Sequence, residues 1–293
     1  MKRIALALSE NVQMKFIAYA MIFMKVSLLG ILIYRISTGL NDFQFSFDSN
    51  LLYYIGVGFL AQLVDGALGM AYGASCTSML LGLGVPPAYA TASVHTAEVF
   101  TTGVSGLSHI YFGNIDKNLF FRIVITGIIG SMLGAYLISD VFDGNMIKPY
   151  ISVYMIILGS VIISKAFKKR PTEPQNKNLG LLGLFGGFLD AVGGGGWGPL
   201  VTSNLISKGN APKEAIGTVN TAEFFVAFCS TGIFMLFIDI QAWQAIAGLI
   251  VGGVVAAPLG AFLVKLFQPK TIMISVGVLV VLLNLWNLAK VLF

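Results

Sequence analysis

The chain is written twice. Sliding it along itself until Asp65 falls on Asp190 pairs, without a gap, Gly69 with Gly194, Gly73 with Gly198 and Thr77-Ser78 with Thr202-Ser203. The same register pairs Pro87 with Pro212, Thr96-Ala97-Glu98 with Thr221-Ala222-Glu223, and Phe100 with Phe225. More than a third of the positions in 65–105 are identical to their partners in 190–230, against about a tenth expected by chance in so biased a composition. After a one-residue shift, Leu133-Gly134-Ala135 falls on Leu259-Gly260-Ala261. One unit has been used twice, and any fold must accommodate both copies.

The unit is made of membrane helices. Charged residues are 11% of the chain and hydrophobic ones 56%, where a soluble domain carries about 25% charge. A water-facing surface cannot be covered so sparsely, and several apolar runs approach the roughly 20 residues that span a bilayer. The expected fold is an all-α polytopic membrane protein with an extra N-terminal transmembrane helix over Phe16–Tyr34, retained rather than cleaved. Residues 1–50 hold that helix and an external loop, 51–167 the first repeat, 168–178 a polar cytoplasmic linker and 179–293 the second repeat. Each copy reads as a helix (Leu51–Val64 or Leu179–Leu189), a glycine-rich break (DGALGMAYG or DAVGGGGWG) and a short second helix (Ala74–Leu83 or Pro199–Ser207). Three further helices complete each unit: 88–112, 119–138 and 147–165, then 213–238, 242–265 and 271–290.

Arms of 10 to 14 residues are about 15–21 Å long, too short to cross the membrane, so the broken segments read as re-entrant hairpins. Loop charge agrees. With re-entrant hairpins, Lys2, Arg3, Lys15, Lys117, Arg122, the 165–177 cluster, Lys208, Lys213, Lys265 and Lys270 share one side. The other holds Asp42, Asp48, Asp140, Asp143 and Asp239, with only Arg35, Lys148 and Lys290 as basic entries. By the positive-inside rule the N-terminus is cytoplasmic, the chain makes seven full spans, and the two repeats are inverted. The net charge of +5 thus reports orientation rather than nucleic-acid binding.

Inverted repeats with interrupted helices are the layout of many secondary transporters, with the substrate near the midplane. Each second half-helix starts inside the membrane, so its N–H groups and positive dipole end attract anions, and small glycines let a ligand approach the backbone. Candidate substrate contacts are Gly73, Ser75, Thr77, Ser78, His95 and Thr96 in copy one, with Gly198, Thr202, Ser203, Asn220 and Thr221 in copy two. The hydroxyls either donate to an oxyanion or bond back to their own helices. Glu98 and Glu223 are candidates for proton coupling, since intramembrane ionisable groups are functional candidates; holding helices together is the other role open to them. Asp65 and Asp190 suit capping of the break. Tyr72 and Trp197 are paired aromatics suited to gating, packing or lining a cavity, and Lys25 is a mid-span cation suited to snorkelling.

These segments, LVDGALGMAYG and FLDAVGGGGWGP, with ATASVHTAE and GTVNTAEFF, resemble the sulfite exporter TauE/SafE family of membrane permeases over about residues 51–290. The resemblance implies movement of small sulfur-containing or carboxylate anions, such as sulfite or organosulfonates, across a bacterial-type cytoplasmic membrane. With it, the chain reads as a proton-linked anion permease. A cation transporter or an anion channel using the same midplane cavity is the alternative.

Other chemistries find little support. Cys76 and Cys229 form no CxxC pair, and His95 and His109 no HExxH, so no metal or redox cofactor is expected. Gly193, Gly195 and Gly198 satisfy GxGxxG without a βαβ context, and no GKS/T follows. An enzyme would need a nucleophile–base pair or metal cluster that the sequence does not offer. The expected partners are a small anion, protons and lipid; oligomeric state is not legible.

Overall fold

A computed structural model describes residues 12–39, 50–68, 70–167, 177–238, 243–263 and 269–292, and among these every regular element is helical. Helix α1 is Val12–Gly39. Copy one contributes α2 (Asn50–Leu68), α3 (Tyr72–Gly82), α4 (Pro87–Tyr111), α5 (Lys117–Tyr136) and α6 (Gly144–Lys165). Copy two contributes α7 (Leu179–Gly193), a π-turn at Gly198–Thr202 leading into α8 (Ser203–Ser207), then α9 (Pro212–Phe237), α10 (Trp243–Leu263) and α11 (Pro269–Leu292). Helices α4 and α9 both open on a proline at the first position after an extended or near-extended residue, where the missing N–H has no intrahelical partner to lose. Asp116 caps α5 by accepting from Leu119 N–H at 3.1 Å.

The surface is inside-out relative to a soluble protein. Phe16, Phe23, Leu52, Tyr150 and Leu236 are exposed, while His95, Glu98, Asp190 and Glu223 are buried. This distribution suits a lipid-facing exterior around a polar centre. Among the described residues five helices are long and apolar enough to cross a membrane, including Lys117–Val141 and Pro212–Phe237. Helix α4 has the length but carries a polar stripe toward the core, from Thr91 through His95 and Glu98 to Thr102.

The copies pack by exchange. Helix α2 lies along α10, and its counterpart α7 lies along α5; α4 pairs with α9, and α6 with α11. Small residues permit the close approach, as is usual where helices associate in lipid. A Cβ on Gly58 would sit 2.7 Å from Leu249 Cα; on the equivalent Gly183 it would sit 3.1 Å from Ile123 Cα. Likewise Gly127 packs on Trp197 and Val226, and Gly253 on Tyr72 and Thr101. In each case the repeat partner meets the repeat partner. Helix α1 lies outside this arrangement, against α4, where Lys25 Nζ donates to the Phe100 carbonyl at 3.4 Å.

Three expectations need correction. Helices α2 and α7 do not stop at Asp65 and Asp190 but run to Leu68 and Gly193; the left-handed residue comes later, at Ala71 in the first break and Gly194 in the second. At 19 residues α2 is about 28 Å long, so arm length no longer argues that the first hairpin is re-entrant; only α3, at 11 residues and about 16 Å, is too short to cross. The expected second arm of copy two, Pro199–Ser207, is a π-turn followed by five helical residues rather than a regular half-helix. Lys2, Arg3, Asp42, Asp48, Gly69, residues 168–176 of the linker, Asp239 and Lys265 lie outside the described residues.

Candidate functional site

The two glycine breaks meet at the centre of the molecule, backbone against backbone. A Cβ on Gly73 would lie 2.9 Å from Gly195 Cα, and one on Gly198 would lie 2.8 Å from Met70 Cα. These are equivalent contacts, each glycine facing the other copy's break. Thr77 Oγ1 closes the junction by donating to the Gly194 carbonyl. The glycines therefore admit the opposite copy's chain, whereas the sequence suggested that they admit a ligand.

Each break is capped from behind by its aspartate. Asp190 Oδ1 accepts from the Trp197 backbone N–H at 2.9 Å, and Asp65 stands in the same relation to the Tyr72 N–H. Both carboxyls thus occupy a position that a helix N-terminus offers to anions. The aromatic rings are buried and anchored on neighbouring helices: Tyr72 OH donates to the Leu249 carbonyl at 3.3 Å, and Trp197 Nε1 to the Val219 carbonyl at 3.1 Å.

Helix α4 carries the remaining chemistry to this junction. His95 Nε2 lies 3.2 Å from Asp190 Oδ2, joining copy one to the break of copy two. Its Nδ1 lies 2.9 Å from the Thr91 carbonyl, and Phe234 packs on the ring at 5.6 Å between centroids. Glu98, one helical turn on, places Oε1 beside Gly73, and its Oε2 is buried without a hydrogen-bond partner among the described residues. Asp65, Glu98, Asp190 and Glu223 interact electrostatically across the centre. Donor atoms of His95, Glu98 and Asp190 fall within 4.8 Å of one another, but Nε2 and Oδ2 already engage each other, so the group is a hydrogen-bonded pair with a third carboxyl beside it.

The copy-two counterpart of His95 differs. Asn220 Nδ2 donates to Ser105 Oγ at 2.9 Å, and its Oδ1 is buried and unpartnered among the described residues. Of the expected substrate hydroxyls, Ser78, Thr96 and Thr221 donate to carbonyls one turn back on their own helices, at 2.6–2.7 Å. Ser203 does the same with Pro199. Ser75 and Thr202 are buried in the second arms.

A known family covers this whole unit: the one described as Sulfite exporter TauE/SafE matches residues 54–286. The chain belongs to the TauE/SafE family. It is similar to the probable membrane transporter protein YtnM of Bacillus subtilis (strain 168), with 44% identity covering 80% of this chain and 81% of that protein. It is also similar to YunE of the same organism, another probable membrane transporter protein, at 25% identity over 78% of this chain and 93% of that protein. No solved structure matches. The family is one of membrane exporters rather than enzymes.

Within this TauE/SafE chain, sequence reasoning missed the braces on the second arms. Asn284 Nδ2 donates to Ser78 Oγ at 2.7 Å and Asn287 Nδ2 to the Ser78 carbonyl at 3.2 Å, both from α11. On the other copy, Lys165 Nζ donates to Ser203 Oγ and, at 3.3 Å, to the Pro199 carbonyl. Tyr154 OH donates to the Gly195 carbonyl at 3.0 Å. The braces are not repeat partners of one another, so the duplication could not reveal them. Mid-span polarity at Asn284 and Asn287 was the one available signal.

Proposed function

We propose that this membrane transporter moves small anions, sulfur-containing ones such as sulfite or organosulfonates, in a proton-linked secondary cycle. The observation that carries this reading is the central junction, where two interrupted helices from two copies meet among buried ionisable groups, as substrate sites of secondary transporters do. Family membership supports the substrate class. Proton linkage follows from charge: an anion entering among Asp65, Glu98, Asp190 and Glu223 repels their ionised forms, so it enters with protons on them. The substrate contacts on this reading are the polar groups of α3, α4, the π-turn and α9 named above, with Glu98 and Glu223 carrying protons.

The cycle is that of a multi-pass protein of the cell membrane with a cytoplasmic N-terminus, two inverted repeats over 51–167 and 179–293, and alternating access about the junction. Single cysteines at Asp143 and Lys270, equivalent in the repeat, then label from opposite sides of the membrane; labelling from one side removes the inversion. The transport test is counterflow in proteoliposomes across sulfite, sulfonates, carboxylates and divalent cations. One observation favours a second reading, cation transport: Asp65 and Asp190 already occupy the N–H groups that an anion would use. Competitive displacement of the substrate by divalent cations would establish it and remove the first.

A further inference from the structure

We propose that the coupling proton of this transporter is held between His95 Nε2 and Asp190 Oδ2, a site that ties copy one to the break of copy two. The inference rests on the transport reading above and adds to it a location. The geometry of the imidazole carries the argument. Its Nδ1 faces two acceptors: the Thr91 carbonyl at 2.9 Å and Thr91 Oγ1 at 3.3 Å. That hydroxyl has its own hydrogen engaged, donating to the Ala191 carbonyl at 2.9 Å. Nδ1 therefore carries a hydrogen, and in the neutral ring Nε2 presents a lone pair.

Asp190 Oδ1 is engaged by the Trp197 N–H, leaving Oδ2 to face that lone pair at 3.2 Å. Two acceptors attract only with a proton between them, as imidazolium–carboxylate or imidazole–carboxylic acid. The structure assigns one proton to the pair in either form. On release the covalent N–H or O–H bond breaks, its electron pair stays on Nε2 or Oδ2, and an O–H bond forms on a neighbouring carboxylate. Glu98, with a carboxylate oxygen within 4.8 Å of the pair and its Oε2 buried and unpartnered among the described residues, is that base. Tyr154 on α6 and Glu223 on α9 also face Asp190, and Asp65 on α2 with Tyr72 and Cys76 on α3 surround Glu98.

The repeat supplies the contrast. At the position equivalent to His95 the second copy has Asn220, an amide with nothing to titrate, so the proton-dependent tie between α4 and a break exists on one side only. Release of the proton removes the Asp190 tie and leaves the Thr91 hydroxyl on the Ala191 carbonyl as the remaining hydrogen bond from α4 to the second break.

The experiment uses the full chain, sulfite as the probe, and Trp197 as the only tryptophan after Trp243→Phe and Trp286→Phe. Asp190→Asn keeps an oxygen for the Trp197 N–H and offers an amide N–H to the Nε2 lone pair of the neutral ring, a tie that needs no shared proton. His95→Asn copies the second repeat. In the parent, Trp197 emission should shift with pH and a proton gradient should drive sulfite accumulation. Both variants should lose the emission shift and the gradient-driven accumulation. Retained gradient-driven accumulation in either folded variant, or a parent emission that ignores pH, overturns the proposal. So does a parent emission change produced by Mn²⁺ or Zn²⁺ at fixed pH and absent in His95→Asn, which would make the pair a metal site. A parent without sulfite flux but with a His95-dependent emission shift keeps the proton site and removes the sulfite reading.

Discussion

The two breaks are built from the same sequence pattern and finished differently. In copy one, α3 is a regular helix that starts at Tyr72 after Ala71, whose φ of 90° is left-handed, and asparagines from α11 brace it. In copy two, Gly194 supplies the left-handed turn with φ 71°, the chain passes through a π-turn, and Tyr154 and Lys165 of α6 brace it. A π-turn misaligns successive peptide dipoles, and α8 has only five residues, so the second arm offers a weaker positive end than α3. The second break has instead the contact of Asp190 with His95. Duplication preserved the frame, and the chemistry then diverged onto one half of it.

The frame itself is the easiest part to break. A Cβ on Gly195 would fall 2.2 Å from Ala74 N, a backbone atom that cannot move aside. Gly195→Ala should therefore cost at least the upper end of the ~1–3 kcal/mol typical of overpacking. Gly56, with open space at its Cβ, is the control, and Gly56→Ala should leave stability close to the parent. Thermal unfolding in detergent, followed by size-exclusion fluorescence, reads both. Equal melting temperatures for the two variants would mean that the breaks do not abut.

The functional asymmetry can be sharpened at the glutamates. Glu98 has an oxygen beside Gly73 and another without a partner among the described residues, whereas Glu223 is the more exposed of the two, at 8% against 1%. Glu98→Gln should abolish pH-gradient-driven accumulation of sulfite while leaving counterflow measurable, and Glu223→Gln should reduce accumulation less. Equal losses would restore functional symmetry between the copies. Unchanged flux in both variants and in the double variant would assign the glutamates to packing.

A smaller structural effect belongs to the hydrogen bond that crosses the junction. Thr77→Val keeps the shape and leaves the Gly194 carbonyl without its donor, a loss of about 1–3 kcal/mol. Ser78→Ala should cost less, since Asn284 retains the Val280 carbonyl as a partner at 2.8 Å. Chemical denaturation of the two variants gives the comparison, and a larger loss for Ser78→Ala would place the weight on the brace instead.

How far the sequence reveals this arrangement depends on what repeats. The helix order, the breaks and the equivalence of Asp65 with Asp190 are legible because each appears twice. The length of α2 is not, since the apolar pattern runs on through Leu68 without a stop signal. Gly73 and Gly198 reveal that something approaches closely, but spacing alone cannot say whether a ligand or another backbone does so. The His95–Asp190 contact joins residues from different copies, and the duplication pairs His95 only with Asn220. Lys165, Tyr154 and Asn284 each serve one copy, so no internal comparison singles them out.

The smallest effect expected separates the two left-handed positions. Ala71 holds φ 90° and is buried, while Gly194 holds φ 71° with Thr77 Oγ1 2.4 Å from where its Cβ would be. Ala71→Gly relieves roughly 1–2 kcal/mol of left-handed strain. Against this stand about 0.4–1 kcal/mol of added chain entropy in the unfolded state and about 0.8 kcal/mol for the lost buried methyl. The contributions nearly cancel, so stability should stay within about 0.5 kcal/mol of the parent. Gly194→Ala has no such offset: it acquires the strain and a clash with Thr77, and should lose about 2 kcal/mol or more. Pairing Gly194→Ala with Thr77→Ala separates the two causes, since removing both Oγ1 and Cγ2 relieves the clash and leaves the backbone strain. If Ala71→Gly proves as damaging as Gly194→Ala, the first break depends on its side chain as much as the second depends on having none.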